Sequence, residues 1–104
     1  MNKAATNDPI LIRFRATLDQ TYGPRLERVV LYGSRARGDA GPDSEYDIAV
    51  FLRDMPDRAV ELADLGAEIL YDTGEFVHAM PYRAGAHNDR TPLMHEVRLD
   101  GVDL

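Results

Sequence analysis

Glu45 and Asp47 are two acidic residues two positions apart, at the head of the apolar run Ile48 to Leu52. In an extended segment residues i and i+2 point to the same face, so the two carboxylates project together. Paired carboxylates repel unless a cation lies between them. A hard divalent ion such as magnesium is the simplest answer, because it takes oxygen ligands and keeps open positions for substrate phosphate. Upstream, ten residues separate this pair from Gly33-Ser34. Gly33 lets a phosphate approach the backbone, and the Ser34 hydroxyl and amide can donate to it. Arg35 and Arg37 add fork-shaped donors matched to phosphate oxygens. Taken singly, an acid pair in an exposed strand is more often a solvated face, and a Gly-Ser turn is a weaker signal still. The combination, at this spacing, points to metal-assisted chemistry on a phosphorylated ligand.

Such groups need strands to hold them. Glu27 to Tyr32 reads as a first strand and delivers Gly33 at its carboxyl end, and Tyr46 to Leu52 reads as a second. Between them Gly33 to Ser44, with three glycines and one proline, is mostly turn, with a helical turn near Arg35 to Arg37. A helix precedes the first strand: Asn7-Asp8-Pro9 supplies a cap and a first-position proline, Ile10, Leu11, Phe14 and Leu18 keep helical spacing, and Gly23-Pro24 ends it. Met55-Pro56-Asp57 opens another helix that Gly74 closes. Phe76 to Tyr82 is a third strand, and Pro81 places it at an edge or a strand end. Residues 83–91 are expected as a mobile loop, Pro92 to Leu99 as a short helix, and Gly101 onward as a tail. The expected fold is α+β, close to α/β: a small mixed sheet with helices packed on one face. Its first two strands form a hairpin-like pair, and the second and third are joined by a crossover helix.

With 104 residues, the chain is expected to form a single domain, residues 1–104. A domain of this size buries roughly 65% of its unfolded surface, enough for one core without a disulfide. Hydrophobic residues at 44% and charged residues at 29% exclude a disordered chain. The absence of cysteine excludes thiolate zinc sites and cysteine nucleophiles. Apolar runs are too short for a membrane span, and MNKAATNDP lacks the apolar core of a signal peptide, so a soluble cytoplasmic protein is expected. The net charge of −6 argues against bulk nucleic-acid binding, which needs a positive field.

Gly33-Ser34, the ten-residue gap and an acid-X-acid pair together resemble the signature of the DNA polymerase β-like nucleotidyltransferase superfamily. GSRARG followed by SEYDIAV is similar to its smallest branch, the minimal nucleotidyltransferases (MNT), as is the closing HEVRLDGVDL. The resemblance implies that Gly33 and Ser34 grip the triphosphate of a nucleoside triphosphate, with ATP the expected partner, and that Glu45 and Asp47 hold magnesium. A third carboxylate on the strand matching Phe76 to Tyr82 would complete the metal site and deprotonate the attacking hydroxyl. The implied reaction is in-line attack on the α-phosphorus with loss of pyrophosphate. MNT proteins commonly act as antitoxins of HEPN-domain RNases, transferring AMP to a tyrosine of the toxin.

The sequence departs from that pattern twice. Glu45 stands where the family usually has aspartate. At the third position FVHAMPY offers His78, and the nearest acid is Glu75. Three outcomes stay open: Glu75 reaches in, His78 acts as a base, or the base is lost. His87 and His95 fit no metal-ligand spacing and are expected at the surface, whereas Phe14, Tyr32 and Tyr82 are expected in the core. A second class of function follows, a degenerate MNT that neutralises its toxin by covering it. A small-molecule acceptor would call for a larger acceptor-binding domain.

Overall fold

In the computed structural model, which describes residues 7–41, 44–54 and 58–104, the first helix begins as its sequence requires. The Asp8 carboxylate accepts a hydrogen bond from the Ile10 amide at 2.8 Å, and Pro9 occupies the first position of α1, Pro9–Tyr22. Leu11, Phe14, Leu18 and Tyr22 form its buried stripe. After a 3₁₀ turn, Gly23–Arg25, the chain enters β1, Leu26–Tyr32. A single helical turn, α2, Ser34–Arg37, lies between Gly33 and Gly38, both at positive φ. Then come β2, Tyr46–Leu52, α3, Ala59–Thr73, and β3, Val77–Arg83. A second 3₁₀ turn, Ala86–Asn88, leads to α4, Pro92–Asp100, and to β4, Val102–Asp103.

The sheet order is β3-β2-β1-β4. β1 pairs antiparallel with β2 and with β4, whereas β2 and β3, joined through α3, are parallel. This is the mixed sheet and the connectivity expected from the sequence. Pro81 is tolerated because β3 lies at the sheet edge, where a missing amide breaks no second ladder. α3 lies close against β3: a Cβ on Gly66 would come within 2.7 Å of the Val77 carbonyl oxygen.

Alternation along the strands sorts their side chains onto two faces. Val29, Leu31, Tyr46, Ile48, Val50 and Leu52 pack with the stripes of α1 and α3. Helices therefore share one face, as expected, for the two long ones. Val30, Ala49 and Phe51 point the other way and meet Met94 and Val97 of α4 with Ala86. α4 covers one part of that second face, and the row of the sheet nearest Gly33 is left for polar groups.

Two expectations about the connections are revised. From Gly101 onward the chain is no tail: Val102 and Asp103 pair with β1, and the Leu104 amide donates to the Val29 carbonyl at 2.9 Å. A strand of two residues has no periodicity to read. Residues 83–91 are no loose loop. Arg83 grips both oxygens of Asp89 at 2.7 and 2.8 Å, and Arg98 reaches back to the carbonyls of His87 and Asp89. The start of the second long helix at Met55-Pro56-Asp57 lies outside the described residues. Among those described, no helix is long and apolar enough to cross a membrane.

Candidate active site

β1 runs out into Gly33, and β2 begins beside it with Asp47 as its second residue. The antiparallel register sets Tyr32 opposite Asp47, and the parallel register sets His78 on the other side. Tyr32, Asp47 and His78 thus form one row across three strands, on the face opposite α1 and α3. Glu45, exposed and just ahead of β2, projects toward the same place. A ligand atom from each of Glu45, Asp47 and His78 lies within 4.8 Å of the others.

Gly33 is essential to this geometry. It sits at φ +76°, where side chains are strained, and a Cβ there would stand 2.7 Å from Asp47 Oδ2. Its missing side chain is the space that Asp47 occupies. His78 Nδ1 lies 3.7 Å from Asp47 Oδ1, beyond hydrogen-bond reach. Among the described residues no lysine or arginine is paired with Glu45 or Asp47.

The electrostatics follow. Partial burial pushes the Asp47 carboxyl above the ordinary carboxylate range, and the neighbouring Glu45 charge adds to it, while His78 opposes the shift. Burial, helped by Tyr82, Asp47 and Glu96, raises the Tyr32 hydroxyl to about 12, so it remains a donor at neutral pH. Tyr32 was expected only as core, and Glu96 of α4 had no expected role. Only the cross-strand register and the face taken by α4 bring them toward Asp47.

The other expected site residues lie elsewhere. The Arg35 guanidinium stacks 4.0 Å above the Tyr46 ring, on the opposite face. It donates to the Ser44 carbonyl at 3.0 and 2.7 Å and to Glu75 Oε2 at 3.3 Å. Arg37 bonds Asp39 and Asp100, each at 3.1 Å. Neither arginine reaches the carboxylates, and Glu75, held by Arg35, does not join them. Arg35 instead fastens both ends of the Gly33 to Ser44 turn and so fixes where Glu45 emerges. Ser34 opens α2, its carbonyl accepting from Gly38 and Asp39, half-buried next to Gly33. Of the histidines, His87 meets Arg28 at 3.0 Å and the Phe51 ring edge, and is half-buried rather than on the surface, whereas His95 is exposed as expected.

Two carboxylates and an imidazole nitrogen converging around one space are a fit donor set for a divalent cation. The carboxylates suit magnesium, and the nitrogen suits a softer ion better.

The chain is similar to known proteins in both sequence and fold. Over 47 residues it is 34% identical to MJ0141 of Methanocaldococcus jannaschii, named as a candidate protein adenylyltransferase; the match covers 45% of this chain and 48% of that one. The chain spans about half the length of the curated relatives it matches. A chain of a crystallised toxin–antitoxin with AMP-PNP superposes with a TM-score of 0.65 at 22% identity, over 88% of this chain and 69% of that one. A chain of the complex between tri-AMPylated Shewanella oneidensis HEPN toxin and MNT antitoxin gives a TM-score of 0.57 at 18% identity, over 90% and 70%. These likenesses confirm the α+β fold expected from the sequence. The nucleotidyltransferase domain family matches residues 11–83, a span that holds Gly33, Ser34, Glu45, Asp47 and His78, and the chain belongs to that family.

Proposed function

We propose that the chain is an MNT antitoxin that transfers AMP from ATP to a tyrosine of a cognate HEPN RNase toxin in the cytoplasm, with a divalent cation, magnesium in the simplest case. The observation that carries this reading is the convergence of Glu45, Asp47 and His78 around one space beside Gly33. The relatives support the substrate and partner: a protein adenylyltransferase, a toxin–antitoxin with AMP-PNP, an AMPylated HEPN toxin.

In this reading the tyrosine oxygen bonds the α-phosphorus, the bond from that phosphorus to the bridging oxygen breaks, and pyrophosphate leaves. A bound divalent cation would neutralise charge on the triphosphate and the leaving group. Glu45 and Asp47 hold that cation, and Gly33 leaves room for phosphate beside them. Ser34 donates to the phosphate oxygens. Arg35 and Arg37 keep the turn in shape rather than binding nucleotide. Glu75 is taken out of the acid–base question by its ion pair with Arg35. His78 holds the third position, so no dedicated carboxylate takes the tyrosine proton, which passes to solvent water. A general base typically contributes roughly 10²- to 10⁴-fold, and transfer is expected to be slow but measurable.

The place of His78 also favours a second reading, an antitoxin that neutralises by binding alone. α-Labelled ATP, the divalent ion and the purified partner toxin decide between them. The first reading expects slow labelling of the toxin that Asp47→Asn silences. No labelling by the native protein, together with full inhibition of the RNase, would establish the second.

A further inference from the structure

The third position of the cation site is a histidine, and this has a consequence for which ion the site takes. We propose that His78 is itself a ligand of the cation and that the site prefers manganese(II) over magnesium. The inference rests on the reading of Glu45 and Asp47 as a cation pair.

Register places His78 level with Asp47 on the adjacent parallel strand, with Nδ1 at 3.7 Å from Asp47 Oδ1. Neighbouring ligands on an octahedral ion with bonds of about 2.1 Å stand roughly 3 Å apart. A closing of well under a residue's side-chain reach brings the two atoms onto one ion. The imidazole is half exposed and tilted beside the Phe76 ring at 6.4 Å, which steadies it without occupying its nitrogens. His87 is engaged by Arg28 and Phe51, and His95 is absent from the ligand cluster.

Magnesium demands oxygen ligands at near-ideal octahedral geometry, and sheds water reluctantly. Manganese(II) accepts carboxylate and phosphate oxygens as readily and, as a first-row transition ion, takes an imidazole nitrogen with less penalty than magnesium does. Glu45 points the same way. Its extra methylene makes a looser arm than aspartate, which a less exacting ion tolerates better.

The test uses the full chain and the metals alone, without nucleotide. Manganese(II) binding is read from loss of the free-ion electron paramagnetic resonance signal, magnesium from its power to displace it, and the ligand from pulsed spectra. The expected result is bound manganese carrying ¹⁴N modulation from one imidazole. In His78→Asp the nitrogen signal disappears, manganese still binds, and the manganese-over-magnesium preference narrows by about tenfold or more, the scale of change typical when a metal's surroundings are altered. His78→Asn, which adds no charge, should lose the same nitrogen signal. Bound manganese without ¹⁴N modulation, or an unchanged preference in His78→Asp, overturns the proposal and leaves the carboxylate pair standing. Failure of both proteins to bind manganese overturns the carboxylate reading as well.

Discussion

Between Gly33 and Asp47 the chain carries charges of both signs, and the two signs meet opposite fates. The arginines are spent locally. Arg35 is shared among the Ser44 carbonyl, Glu75 and the Tyr46 ring, and Arg37 is divided between Asp39 and Asp100. Glu45 and Asp47, a few residues away, face one another and a histidine, and partial burial together with the Glu45 charge makes Asp47 hold its proton more tightly. Among the described residues this segment pairs both arginines and leaves these two acids without one, which supports the proposal that a cation from outside the chain binds there. Satisfied charge belongs to the scaffold, and charge left in conflict to the candidate site.

The largest expected effect comes from closing the space between the two regions. Gly33→Val would drive a branched side chain into Asp47 Oδ2 and force it into a left-handed backbone, at a cost of roughly 1–2 kcal/mol. Displacing the carboxylate should weaken metal-dependent nucleotide binding by about 100-fold, the scale expected of an ångström-level misplacement. Calorimetry on folded variant protein checks this, and unchanged affinity would move the phosphate cradle elsewhere.

Arg35→Ala strips partners from a half-buried carbonyl and a carboxylate and should destabilise the fold by about 2 kcal/mol in urea unfolding. Metal binding should persist, because Arg35 bonds Ser44 and Glu75 and does not reach the Glu45 and Asp47 carboxylates. A variant that keeps its stability and loses metal or nucleotide would return Arg35 to the phosphate site.

Asp47→Asn should stabilise the metal-free protein. The Asp47 pKa is raised in the folded state, so the stability it contributes is complete below its unfolded pKa and is lost as pH rises through the folded value. Asparagine suffers no such loss. The variant's melting temperature should therefore exceed the wild type's at neutral pH, and the difference should vanish as pH falls below about 4. The opposite sign would mean that the acids are not in conflict. The smallest effect is expected of Arg37→Ala, a barely measurable change in the urea midpoint, because Arg37 and Asp39 are exposed.

Much of this was legible from residue order. The acid pair, the Gly-Ser turn and three of the four strands follow from alternation and turn chemistry, and aligning the third strand with the family pattern picks out His78. The fate of the arginines was hidden, because a guanidinium fork fits a phosphate and a carboxylate equally well and only the fold brings Glu75 to Arg35. The Tyr32–Asp47–His78 row needed the register of two ladders. Tyr32 read as core because nothing local shows that its strand end opens onto polar groups. β4 was too short to read, and the face chosen by α4 depends on where its chain returns.

The most direct measurement is calorimetry of ATP binding to wild type and Asp47→Asn, with and without divalent ion. Wild type should bind ATP only when the ion is present, and the folded, thermally sturdier Asp47→Asn should not bind it under either condition. Equal binding by the two proteins, or ion-independent binding by the wild type, would contradict the assignment of Glu45 and Asp47 to the cation.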